Sequence, residues 1–166
     1  MRSSPLTVVT RPQLTVACLL LAAASAACAG PLQAAPQHVR TAIEPFRSAG
    51  YACAGPSTDN SRFEQWRCDL SGPDGISTSV VIDADGSGIK QVLATVDASK
   101  AGVLSASPVT EFFSRVCDIQ VAGSPVDAKA WVLSHIPAGG QEHVGALFIT
   151  LDPLAAVTHL VLFVPD

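Results

Sequence analysis

Apolar residues recur along this chain with two periods, and the changes of period divide it into elements. Val39, Ala42, Ile43 and Phe46 stand at helical spacing, with Thr41-Ala-Ile-Glu44 as a candidate capping box and Gly50 as the stop. Pro45 within this stretch predicts a short or kinked helix, because an interior proline removes a donor and collides with the preceding turn. It is tolerated only if it falls in the first turn. The period then drops to two. Trp66, Cys68 and Leu70 alternate on one face, Ile76, Thr78, Val80 and Ile82 follow, and the run 89–96 returns. Between the last two runs Asp85-Gly86 signals a hairpin, since both residue types tolerate the positive φ of a primed turn. Three antiparallel strands are therefore expected, separated by the turn-rich segments 71–75 and 83–88.

Beyond a Ser/Ala/Gly linker at 98–107 the spacing is helical again, in Val109, Phe112, Phe113, Val116 and Ile119. Ser124-Pro125-Val126-Asp127 then supplies a cap residue, a proline at the first helical position and an acid in the first turn, and Gly139-Gly140 ends that second helix. Two apolar strands close the chain, 144–151 and 156–164, joined by Asp152-Pro153. The predicted class is α+β, one antiparallel sheet packed by two or three helices in the order α-βββ-αα-ββ. Helix followed by strands occurs twice, yet no residue-level identity links the two halves.

The first 29 residues differ in character. Arg2 and Arg11 precede an uncharged run of 16 residues, Leu14 to Ala29, nearly half of it Ala. A membrane-spanning helix needs about 20 strongly apolar residues, so a secretory leader is the expectation. Ala27 and Ala29 before Gly30 fit a signal-peptidase site. Ser25-Ala-Ala-Cys28 offers a competing exit. It resembles the lipobox of bacterial lipoproteins, in which a Cys after two small residues is acylated and becomes the new N-terminus. The resemblance covers the leader alone and implies a lipid on Cys28; Ser25 stands where that family has Leu or another aliphatic residue. The expected organisation is a leader at 1–29, a tether without periodicity at 30–36 and a single domain at 37–166. That places the protein outside the cell or in the cell envelope. Its contact with a membrane would come only through the leader or a lipid on Cys28 at the outer face of the cytoplasmic membrane.

Charge and cysteine count narrow the class. The chain has 10 basic and 14 acidic residues; once Arg2 and Arg11 leave with the leader, the net charge is near −6. The remaining basic residues are scattered, which argues against nucleic acid as a partner, since phosphate binding needs several of them on one face. Of five cysteines, Cys18 lies in the leader and Cys28 is lipidated or discarded. The odd number left implies one bridge and one spare thiol. Cys53–Cys68 is the expected bridge, because the turn-rich segment between them brings two extended flanks together. Cys117 remains as a free thiol.

Candidate chemistry is sparse. Asp83-Ala-Asp-Gly-Ser-Gly88 matches the start of a calcium-binding EF-hand loop, but Ala94 stands at the twelfth position, where a bidentate Glu is required. A water-facing hairpin is the expectation. Cys117 beside Asp118, with His135, His143 and His159 downstream, contains the residue types of a Cys–His nucleophile; its place on an amphipathic helix predicts a buried, inert thiol instead. No two histidines have metal-ligand spacing, and no nucleophile elbow, phosphate loop or dinucleotide fingerprint occurs. Trp66, Trp131, Tyr51 and the phenylalanines fall within apolar periods and read as core. The expected function is a non-enzymatic module, without cofactor or metal, binding a protein or small ligand through the sheet face or the loops at 55–61 and 72–75. The alternative is a small secreted hydrolase or thiol enzyme using Cys117 with a His.

Overall fold

The computed structural model describes residues 35–57, 62–101, 106–121 and 126–164. The expected leader, with Cys28, and the Ser124-Pro125 cap lie outside the described residues.

Helix α1 (Gln37–Ser48) buries Val39, Ala42, Ile43 and Phe46, the stripe read from the sequence. Its start differs from the expectation. Pro36 occupies the N-cap without a side-chain cap, so Thr41 and Glu44 sit in mid-helix and form no capping box. Thr41 Oγ1 donates to the Gln37 carbonyl at 2.9 Å, and Glu44 pairs with Arg47 at 3.4 Å. Pro45 is likewise interior rather than in the first turn. The helix accommodates it because the carbonyl left without a donor is that of Thr41, which is exposed, and the helix ends three residues later. At that end the Gly50 and Tyr51 amides donate to the carbonyls of Arg47 and Phe46, at 2.9 and 3.0 Å, which satisfies two of the orphan acceptors.

Among the described residues seven strands form one sheet. β1 (Ala52–Ser57), β2 (Glu64–Ser71), β3 (Ser77–Asp85) and β4 (Gly88–Asp97) precede helices α2 (Ala106–Val116) and α3 (Val126–His135). β5 (Gly140–Val144), β6 (Leu147–Leu151) and β7 (Val157–Phe163) follow them. The spatial order is β1-β2-β3-β4-β7-β6-β5, antiparallel throughout. The class is α+β, as expected; among the described residues there are three helices in the order α-ββββ-αα-βββ, two strands more than the sequence suggested. Both additions are edges. β1 reads Ala-Cys-Ala-Gly-Pro-Ser and β5 is almost wholly exposed, so neither carries the alternation that a half-buried strand shows. The expected strand 144–151 is in fact a hairpin, in which Val144 faces Leu147 across Gly145-Ala146.

The helices cover one face. Trp66, Val80, Ile82, Val92, Leu160 and Ile149 are fully buried beneath Ile43, Phe46, Phe113 and Val132. The Cys53–Cys68 disulfide joins directly opposite positions of β1 and β2 on that same face and packs into the core. Beside it, Gly55 lies flat on Trp66: a Cβ at this position, where φ is +138°, would sit 2.8 Å from the Gln65 carbonyl oxygen and 2.9 Å from the indole ring. Only glycine lets the edge strand approach so closely.

Two outcomes follow for stability. Replacing both Cys53 and Cys68 by Ala should cost about 3 kcal/mol in urea unfolding, the loop-closure value for a bridge of this span. Gly55→Ala should lower the unfolding midpoint well beyond Gly88→Ala, because Gly88 also has a positive φ (+147°) but has open space around it. Equal effects of the two glycine variants would show that the contact with Trp66 is not what requires Gly55.

Candidate functional site

A cleft of about 320 Å³ opens on the helix-covered side, at the end of the sheet where the helix layer stops short. Its floor is the last apolar rung of β2 and β3, with Leu70 directly opposite Thr78, extended by Ile76. One wall comes from α2 through Phe112, Glu111 and Arg115, and Tyr51, at the exit from α1, supplies the other. The aromatic groups are held as a unit. Tyr51 stacks nearly parallel to Phe112 with centroids 6.3 Å apart and meets Phe46 edge-on at 5.4 Å. Thr78 Oγ1 donates to the Tyr51 hydroxyl at 2.8 Å, fixing the phenol over the strand end. The rim is charged, with Asp74 on the β2–β3 turn and Arg115 paired to Glu111 at 3.5 Å. An apolar floor with a few fixed polar groups is the usual composition of a small-molecule site.

Of the segments singled out in the sequence, the 72–75 turn belongs to this cleft through Gly72 and Asp74. Part of the 55–61 loop lies outside the described residues. Tyr51 and Phe112, read as core, do pack into it, and they also form the cleft wall. Periodicity cannot show this second role, because a residue at the end of an apolar stripe has one side in the core and the other at its border.

Cys117 is unbridged, just past the end of α2. Burial pushes its thiol from 9.0 up to about 12; Lys129 acts to lower it and Asp118 to raise it. The charged groups that act on the thiol are therefore Lys129 and Asp118, which pair with each other at 2.7 Å. The three downstream histidines have other partners. His135 stacks on Trp131 at 4.3 Å, His143 lies 4.5 Å from Phe148, and His159 Nδ1 is 2.7 Å from an Asp152 carboxylate oxygen. A nucleophilic cysteine needs an accessible thiolate and a base at hydrogen-bond distance; this thiol is held neutral and apart from the imidazoles.

The acids of the β3–β4 hairpin are committed locally. Asp83 accepts from Gln65 Nε2 at 3.1 Å. Asp85 Oδ1 accepts from the Ser87 amide at 2.7 Å, the Ser87 hydroxyl at 2.6 Å and the Gly88 amide at 3.2 Å, contacts that hold its carboxyl below the usual range. The expected positive φ at Gly86 is not found; Gly88 carries it instead. The aspartate side chain makes the turn through its own hydrogen bonds, which moves the conformational demand two residues on. Among the described residues no three His, Cys, Asp or Glu side chains are grouped to hold a metal ion.

The Asp152–His159 pair was not foreseen from the sequence. It is half-exposed on the open face of the sheet, and the Asp152 amide donates back to the His159 carbonyl at 2.9 Å. The two bonds fasten the β6–β7 connection. Their signal in the sequence is a carboxylate and an imidazole seven residues apart across a turn, a spacing that becomes informative only once the hairpin register is known.

The state of Cys117 sets an expectation in solution. Iodoacetamide near pH 8 should modify Cys117, which is only partly buried, slowly in the native protein and quickly after unfolding, and rapid modification of the native protein would contradict a thiol held neutral. The linkage has a sign. The thiol ionises at about 9 when unfolded and about 12 when folded, so the folded state holds its proton longer and stability falls as pH rises through that window. Cys117→Ala should flatten this alkaline loss in urea titrations compared across pH.

No family model, curated protein or solved structure matches the chain, so the cleft's own geometry is the basis for assigning it a function.

Proposed function

We propose that this protein is an exported, non-enzymatic binding module whose ligand is a small amphipathic molecule held in the cleft between α2 and the β2–β3 turn. The observation that carries the reading is the rung Leu70–Thr78, which among the described residues is bordered by Tyr51 and Phe112 and forms the floor of an open cleft. An apolar body would lie on Leu70, Ile76 and the Phe112 ring. The Tyr51 and Thr78 hydroxyls share one hydrogen bond, so between them a donor and an acceptor capacity are left for a polar head. Asp74 at the rim, where Glu111 and Arg115 are paired to each other, favours a head that donates hydrogen bonds. A cleft of this volume takes a metabolite-sized ligand rather than a protein segment.

Export rests on the leader expected at 1–29. A disulfide is consistent with an oxidising compartment, and no described helix is long and apolar enough to cross a membrane. In this reading the domain sits outside the cytoplasmic membrane, free or tethered through Cys28 and the 30–36 segment. Intact mass of the exported protein decides between the two. A start at Cys28 carrying acyl mass makes it a lipoprotein, a start at Gly30 makes it secreted, and an intact Met1 sinks the export reading.

The cleft is tested with N-phenyl-1-naphthylamine, an uncharged fluorescent probe with an apolar body and one N–H donor. The native protein should bind it, Leu70→Glu should abolish the signal, and Leu93→Glu, on the opposite face, should leave it unchanged. Both variants are checked for an intact cooperative melt. Probe binding that survives Leu70→Glu would place the apolar site elsewhere.

A further inference from the structure

We infer that the open face of the sheet is the surface on which two copies of this chain dimerise. All three helices lie on the other side, and no described element covers this one. A solvent-facing sheet surface is ordinarily polar, yet here Val81, Leu93 and Val161 stand in one cross-strand row on β3, β4 and β7. Phe163 and Phe148 continue the patch in the next row, with centroids 5.0 Å apart. All five are half-buried by their strand neighbours alone.

The position and surroundings of this patch indicate its occupant. It straddles the β4–β7 seam near the middle of the seven strands, so a twofold axis through the seam sets apolar centre on apolar centre and rim on rim. An off-centre patch would leave each copy overhanging. Seven strands at about 4.8 Å spacing and about 20 Å length give a face of roughly 650 Å², close to the roughly 800 Å² per partner of a standard stable interface. The polar side chains around it are hydrogen-bonded within the chain. Arg67 Nε donates to both Asp69 oxygens at 2.8 and 2.9 Å, His159 pairs with Asp152, and Asp83 accepts from Gln65. A rim whose polar groups already have partners asks for no further pairing from the surface laid against it. The surface is a sheet, which packs on a second sheet about 10 Å away at a shallow angle, and a second copy provides that sheet.

Sedimentation equilibrium of the exported protein across the micromolar range tests this. The expected result is a reversible dimer that Leu93→Asp and Val161→Asp each weaken at least thirtyfold while circular dichroism retains the native spectrum, since each places an unpaired charge at the centre of the contact. Hydroxyl-radical footprinting of the unsubstituted protein supplies a readout independent of any variant. Phe148 and Phe163 should become protected as concentration rises, in step with the dimer fraction. A monomer at every concentration overturns the proposal, as does a dimer in which these two rings stay reactive. The latter result would place the contact on another surface, and neither result bears on the cleft.

Discussion

The pairing of β4 with β7 is the constraint on which the rest of the molecule depends. Seven register pairs, from Gln91–Phe163 to Asp97–Val157, join the end of the first meander to the end of the chain. Without them the structure is two half-sheets, four strands and three, each with one apolar face too small to exclude water; three strands with a covering layer are near the lower limit of independent stability. The seam also sets the faces. Pairing Val92 with Leu162 and Ala94 with Leu160 aligns the buried rows of both halves, and a slip by one residue would turn every core side chain of β5, β6 and β7 outward. The cost is folding order, because contacts this distant in sequence form only after long loops close.

Once the seam is made, the helices have one surface to cover, and they cover it incompletely. α1 and α2 place Phe46 and Phe113 over the middle of the sheet, but α2 is 11 residues long, about 16 Å of helix, whereas β4 with 10 residues extends about 33 Å. A helix rises half as far per residue as a strand, so a short helix layer over long strands leaves strand ends bare. Leu70, Thr78 and Ile76 lie at such an end, and Tyr51 and Phe112 form its border. The cleft is therefore a consequence of unequal element lengths, made permanent by the Tyr51–Thr78 hydrogen bond and the stacked rings.

Legibility in the sequence follows burial. The stripes of α1 and α2 and the alternation of β3 and β4 were readable because each has one dry and one wet side. β1 and β5 were not: β5 is almost wholly exposed and has no period to display, and β1 meets the core through Cys53 and Gly55, small residues that do not stand out from the alanines between them. The Cys53–Cys68 pairing could be reached from the turn chemistry between the two residues, because a disulfide across adjacent strands needs only that the strands return. Pro45 misled for the opposite reason: the rule against interior proline assumes a buried carbonyl, and the one affected belongs to exposed Thr41. The cleft and the pair of Asp152 with His159 depend on which elements become neighbours, which spacing along one element does not contain. The open-face patch was equally hidden, because Val81, Leu93 and Val161 look like core residues of their strands until the parity of each is known.

Charge does little to decide what this surface binds, and the reason is local pairing. Basic side chains repeatedly sit against an acid: Arg47 on Glu44, Arg67 on Asp69, Lys90 on Asp85, Arg115 on Glu111 and Lys129 on Asp118. Exposed pairs of this kind contribute at most about 1 kcal/mol each to stability, so their larger effect is on the field, where they cancel positive charge at its source and leave the excess acids spread thinly. A diffuse negative field repels phosphate polymers and supplies no steering toward a particular small ligand. Selectivity must then come from shape and apolar area. The structure offers these in two places: the cleft, which is concave and bordered by stacked aromatic rings, and the open face, which is broad and carries its apolar rows near the middle of the sheet. The difference in form is what separates their occupants, since a concave site of this volume encloses a small molecule and a broad sheet surface is filled only by another layer of protein.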